Sequence, residues 1–135
     1  MLRDLRRLEE AEGAFREALE IYRRLAKQQP QVYEPDVAMT LNNLGAVLYD
    51  LRRLEEAEGA CREALEIYRR LAEQQPQVYE PYLAMTLNNL GLVLSYLRRL
   101  EEAEGAYREA LEIYRRLAKQ KPQVCLLYTS DAADE

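Results

Sequence analysis

The chain has 135 residues, a net charge of −5, two Cys, and neither His nor Trp. This length fits one domain, and the lack of histidine removes the commonest general base and the commonest metal ligand. Two cysteines are too few for a zinc site or a disulfide framework, and neither a spanning apolar stretch nor a signal-peptide pattern occurs. We therefore expect no enzyme activity, no cofactor, no metal site and no membrane insertion.

The chain is built from repeats with a period of 46 residues. The string Leu-Arg-Arg-Leu-Glu-Glu-Ala-Glu-Gly-Ala begins at Leu5, Leu51 and Leu97. Residues 5–50 and 51–96 are identical at 39 of 46 positions. Copies this similar are typical of stacked supersecondary units rather than of independent domains.

Each repeat contains two predicted helices. Helix B is predicted at Leu54–Gln74, with copies at Leu8–Gln28 and Leu100–Gln120, because its apolar residues recur every three or four positions. Helix A is predicted at Val37–Asp50 and Leu83–Tyr96 from the same kind of spacing. Strand-like alternation is absent from the sequence. The predicted order is B-A-B-A-B, which is all-α.

Proline marks the predicted end of each helix B. Pro76 disfavours helical geometry in the residue before it, so helix B should end there. With the second proline, Pro81, the segment Gln75–Pro81 is predicted to be a connector between repeats. The shorter segment Asp50–Arg53 is the predicted turn within a repeat.

Small residues predict where helices cross. Gly45, Ala57 and Ala64 lack bulk at such positions, and Cys61 lies in the apolar stripe of helix B, which makes it a core residue. Three glycines inside helix B could be explained by close approach of a neighbouring helix: Gly13, Gly59 and Gly105.

The repeat resembles the tetratricopeptide repeat in its spacing of small and large residues. The matching positions are Leu41, Leu44, Gly45, Leu48, Ala57, Cys61, Ala64 and Pro76, then Leu87, Leu90, Gly91, Leu94, Ala103, Tyr107, Ala110 and Pro122. Leucine replaces the first two aromatic residues of that pattern, and the period exceeds the usual length of about 34 residues. The long period is similar to that of kinesin light chains and their bacterial relatives. HEAT-type repeats share the period but not the Gly/Ala spacing.

This resemblance implies a fragment of a right-handed α-solenoid of antiparallel helix pairs. The array is assigned to residues 1–124, with a lone helix B at 5–28 and repeats at 36–74 and 82–120. Residues 1–4 align with the last turn of a helix A, so we expect Phe15, Leu19 and Tyr22 to expose apolar surface and the chain to self-associate. Residues 125–135 leave the repeat pattern and resemble a translated sequencing adapter, so we interpret them as a non-native tail.

In tetratricopeptide arrays helix A lines the concave groove, which implies a peptide-binding face on helix A. The predicted binding residues are Met39, Asn42, Asn43, Ala46, Tyr49 and Asp50 in one repeat, and Met85, Asn88, Asn89, Leu92, Ser95 and Tyr96 in the next. An amide can bond the main chain of an extended peptide, and relatives use Asn at the positions of Asn43 and Asn89. Alternatively, one Asn of each pair bonds only a neighbouring helix.

The expected partner is a protein or peptide. Nucleic acid is disfavoured because every Arg cluster is interleaved with Glu, and binding of a terminal carboxylate is disfavoured because helix A has no Lys or Arg. The leading hypothesis is a cytoplasmic interaction scaffold. A regulatory arm of a larger enzyme and a purely structural spacer are the alternatives.

Overall fold

The computed structural model describes residues 2–120, with side chains from Asp4 onward. Within this range the chain forms five α-helices, which gives the expected all-α solenoid of antiparallel pairs in the order B-A-B-A-B. The helices are α1 (Leu2–Gln28), α2 (Pro30–Asp50), α3 (Leu54–Gln74), α4 (Pro76–Tyr96) and α5 (Leu100–Gln120). The interpretation of residues 125–135 as a tail lies outside the described residues, and the handedness of the superhelix stays an expectation.

Each helix A is longer than predicted, and the prediction of a connector at Gln75–Pro81 is wrong. Between a helix B and the next helix A, the described chain leaves helical structure at one residue, Gln29 or Gln75. The N–H groups of these residues donate to the carbonyl oxygens of Leu25 and Leu71, and the next helix starts at the following proline. Proline suits the first helical position because no hydrogen bond is required of its nitrogen there. The residues counted as a connector therefore form the first turns of helix A.

The turn within each repeat is held by helix A. Arg52 and Arg98 adopt the left-handed conformation, with φ of 63° and 65°. The N–H of Arg53 donates to the Leu48 carbonyl oxygen and closes the turn. The same Leu-Arg-Arg sequence at residues 5–7 is helical within α1, so the expected end of a helix A at residues 1–4 is wrong within the described part. Tertiary packing, rather than the local sequence, decides between the turn and the helix.

The core lies along the seams between successive helices. α2 packs on α1, α3 and α4, and α4 packs on α2, α3 and α5. Ala57, Cys61 and Ala64 are fully buried, as the predicted crossing requires. Burial raises the pKa of the Cys61 thiol to about 12, which agrees with its interpretation as a core residue.

The expectation of exposure for Phe15, Leu19 and Tyr22 is only partly met. Leu19 is buried against the core, so that part is wrong, whereas Phe15 and Tyr22 are half-buried. Position 19 faces α2, which covers it, and the more exposed apolar residues of α1 are Leu5 and Ile21.

Candidate functional site

One side of each helix A stays outside the core. We call it the open stripe, because none of its residues is buried. Successive members lie three or four positions apart and therefore share one helical face. The open stripe consists of Asp36, Met39, Asn43, Ala46 and Asp50 on α2, and of Tyr82, Met85, Asn89, Leu92 and Tyr96 on α4.

Asn42 lies between the two A helices rather than on the open stripe. Its side chain is 3% exposed, and its Oδ1 accepts hydrogen bonds from Thr86 Oγ1 and Asn89 Nδ2, both at 3.0 Å. The amide oxygen of Asn42 thus joins α2 to α4, as the alternative reading of the Asn pair expects. Asn88, the copy of Asn42, is half-buried on α4.

Asn43 and Asn89 occupy equivalent places on the open stripe. The Nδ2 group of Asn89 donates to Asn42 Oδ1, and its own Oδ1 accepts no hydrogen bond from the other described residues. Asn43 makes no side-chain hydrogen bond to the other described residues. A ligand role for these two residues stays a prediction.

An aromatic pair closes one end of the open stripe. The rings of Tyr49 and Tyr96 meet edge to face at 5.2 Å between centroids. The guanidinium of Arg52 lies 4.4 Å from the Tyr96 ring centre and 5.1 Å from that of Tyr49, and it donates to the Tyr49 carbonyl oxygen and to Tyr96 Oη. Ser95 takes the place of Tyr49 on α4, so this arrangement depends on residues that differ between repeats.

A cleft of about 160 Å³ lies between the stripes of α2 and α4. Ala46, Tyr49 and Asp50 form one wall, and Asn89 and Leu92 form the other. Ala46 is small and leaves this cleft open. A leucine at position 46, like the one at the equivalent position 92 of α4, would fill part of it. The structure therefore brings five of the predicted binding residues together around one opening.

The charges on the open stripe are acidic and unpaired. Neither α2 nor α4 contains Lys or Arg. Glu34 and Glu80 on these helices pair with Arg70 and Arg116. Among the described residues, the carboxylates of Asp36 and Asp50 make no ion pair.

Asp36 and Tyr82 also belong to this face, although they are not among the predicted binding residues. Both extend the spacing that runs through Met39 and Met85, which was the available signal. They were left out because helix A was expected to begin at Val37, one residue too late for the pattern to include position 36.

The described part of the chain holds no group of three or more His, Cys, Asp or Glu that could bind a metal ion. None of its helices is both long and apolar enough to cross a membrane.

Comparison with known proteins gives a family. Tetratricopeptide repeat family models match residues 36–116 and residues 1–30. The chain is also similar to the crystal structure of BtubC (BKLC) from P. vanneervenii, at 24% identity and a TM-score of 0.42. That match covers 82% of this chain and 58% of BtubC, so the chain spans little more than half of that protein. No curated protein matches.

Proposed function

Because this chain belongs to the tetratricopeptide repeat family, we propose that it is a scaffold that binds a peptide segment or a partner domain in the groove lined by α2 and α4. Repeats of this family generally mediate protein–protein interaction and are generally non-enzymatic. The partner is a protein rather than nucleic acid, since the groove helices carry no basic residue.

The observation that carries this proposal is the apolar surface exposed on α4. Tyr82, Leu92 and Tyr96 expose 38%, 42% and 49% of their surface, although the opposite side of the same helix is tightly packed. Leu92 and Tyr96 lie one helical turn apart on one face, and contiguous exposed apolar surface is typical of interaction sites. The cleft beside Leu92 offers a concave place for one side chain of a partner.

A rigid scaffold favours such binding. The Asn42 hydrogen bonds and the Tyr49–Tyr96 contact fix α4 relative to α2 before any ligand arrives. Preorganisation reduces the ordering cost that binding must overcome. The mechanism proposed is binding alone.

Selection of a random peptide library on the immobilised chain tests the proposal. Selected peptides should lose about five- to thirtyfold in affinity for Leu92→Ala, because a buried apolar contact contributes about 1–2 kcal/mol. Alanine already occupies the equivalent position 46, so the variant should fold. Leu111→Ala is the matched control, since Leu111 is similarly exposed, at 47%, but lies on α5.

Asn43→Ala adds a second probe of the same groove. If the Asn43 amide bonds the peptide main chain, this variant should bind the peptide more weakly. The free protein should be unaffected, because Asn43 makes no side-chain hydrogen bond to the other described residues. Failure to select any peptide, or equal effects of Leu92→Ala and Leu111→Ala, would contradict the proposed function.

A further inference from the structure

The two repeats differ most informatively on the open stripe. Only seven of the 46 compared positions differ. Three of them are stripe positions: Asp36 against Tyr82, Ala46 against Leu92, and Asp50 against Tyr96. The open stripe of α2 thus has an aspartate at each end and the small Ala46 between them. The open stripe of α4 has a tyrosine at each end and Leu92 between them.

Neither Asp36 nor Asp50 makes an ion pair with another described residue. Arg52, the nearest cation in sequence to Asp50, is held by Tyr49 and Tyr96. Burial, followed by the neighbouring Tyr82, Tyr79 and Asp36, raises the pKa of Tyr68, and the Tyr68 ring stacks on that of Tyr82 at 5.6 Å between centroids. Both carboxylates are therefore available to a cation from outside the described chain.

The spacing of these carboxylates fits an extended peptide. Asp36 and Asp50 are 14 residues apart in one helix, which corresponds to about 21 Å along its axis. An extended chain covers that distance in about six residues. Since six is even and successive side chains point to opposite sides, two basic residues at this spacing would both face α2.

The residues one, three and five positions after the first basic residue would then face α4. The side chains at odd positions of the same peptide point toward Tyr82, Leu92 and Tyr96. The cleft of about 160 Å³ suits one of them, because a cavity of about 150 Å³ accepts a benzene-sized group.

We propose that the groove recognises an extended segment of a partner protein with two Lys or Arg residues about six positions apart and apolar residues between them. The basic side chains contact Asp36 and Asp50, and the apolar ones contact the open stripe of α4. This inference rests on the proposed function and specifies its ligand.

The test uses peptides selected on the unmodified chain, and compares their binding to paired charge variants. Asp36→Asn with Asp50→Asn should weaken binding about four- to twentyfold at low salt, from about two- to fivefold for each exposed charge pair. Added salt should reduce this difference. Glu66→Gln with Glu73→Gln is the matched control, because it removes two exposed charges from α3.

A spacing variant of the peptide provides an independent measurement. Moving one basic residue by a single position turns its side chain away from α2, so affinity should fall by a similar factor. This inference is overturned if the selected peptides lack basic residues, or if the two double variants have equal effects on binding. If those peptides still bind more weakly to Leu92→Ala, the proposed function stands. If no peptide is selected, the proposed function fails as well.

Discussion

At the scale of single residues, the space opposite Gly45 and Gly91 is set by one side chain of the following helix B. A Cβ atom at Gly45 would lie 2.7 Å from Cys61 Sγ, and one at Gly91 would lie 2.6 Å from the Tyr107 ring. Contacts this short require a neighbour to move. These two glycines therefore allow α2 and α4 to approach their partners.

The glycines inside helix B behave differently. The expectation that a neighbouring helix approaches them closely is wrong, since a Cβ at Gly13, Gly59 or Gly105 would meet nothing within 4 Å. The structure gives no reason for glycine at these positions.

Gly45→Ala and Gly59→Ala should therefore change the free energy of unfolding in opposite directions. Overpacking against Cys61 should destabilise the first variant by about 1–3 kcal/mol. Removing glycine from an exposed helical site should stabilise the second by up to about 1 kcal/mol. Urea unfolding followed by circular dichroism measures both, and a stabilising Gly45→Ala would contradict the packing described here.

At the scale of elements, ion pairs link successive B helices across the A helix between them. Arg23 pairs with Glu63, and Arg69 pairs with Glu109, each 40 residues further along the chain. Arg53 and Arg99 add pairs to Glu12 and Glu58 of the preceding helix B. These ion pairs therefore connect the outer faces of successive repeats.

Arg69→Gln tests this ladder, because its guanidinium contacts Glu109 through two nitrogens. We expect a loss of about 0.5–1 kcal/mol in the free energy of unfolding, as for a well-aligned surface pair. Arg115 is the copy of Arg69 on α5 and makes no ion pair with the other described residues. Arg115→Gln should thus leave stability nearly unchanged, and an equal loss would show that the pair does not contribute.

The ladder also predicts how stability depends on pH. Hydrogen bonds from Arg69 and Arg99 hold the pKa values of Glu109 and Glu102 below the usual value. Because these folded-state pKa values are lowered, the stabilisation is complete above the unfolded pKa of about 4.3 and is lost as pH falls through the folded values. The free energy of unfolding should be constant from neutral pH to about pH 5 and should decrease below that pH. On acidification, Arg69→Gln should lose less of its free energy of unfolding than the unmodified chain. An equal loss would contradict the assignment of this pH dependence to the Arg–Glu pairs.

Most of the elements could be predicted from the sequence, whereas the starts of the two A helices could not. The ends of α3 at Leu54 and Gln74 agree with the apolar period. The start of α4 at Pro76 was missed because proline was interpreted only as a terminator, although it is equally suited to begin a helix. The turn predicted at Asp50–Arg53 agrees with the structure, in which α2 ends at Asp50 and α3 starts at Leu54.

At the scale of the whole molecule, the two outermost helices of the described part each have one packing partner. α1 packs on α2, and α5 packs on α4. Ile21 on α1 and Leu100 on α5 expose 43% and 58% of their surface, whereas Ile67, the copy of Ile21, is 9% exposed. The inner and outer B helices thus differ in burial despite nearly identical sequences.

Self-association through these outer helices stays a prediction. Burial of the exposed apolar faces would stabilise an oligomer, so the sedimentation coefficient should rise with protein concentration under reducing conditions. Ile21→Lys should shift the equilibrium toward monomer. A single, concentration-independent monomer would contradict the prediction.

The candidate site was predicted in part. Its location on helix A follows from the family resemblance; eight of the twelve predicted residues lie on the open stripe, and their ligand role stays a prediction. Asn42 could not be separated from Asn43 by sequence, because both belong to the same turn and only the position of α4 determines which amide is buried. Asp36 and Tyr82 join the open stripe because α2 and α4 start earlier than predicted.

The most direct test of this account is to map the bound peptide by amide chemical shifts in the labelled protein. We predict that a selected peptide perturbs residues of the open stripe, above all Asn43, Ala46, Asn89 and Leu92, with little change along the outer faces of α3 and α5. Perturbations centred on α1, α5 or the Arg–Glu ladder would contradict it.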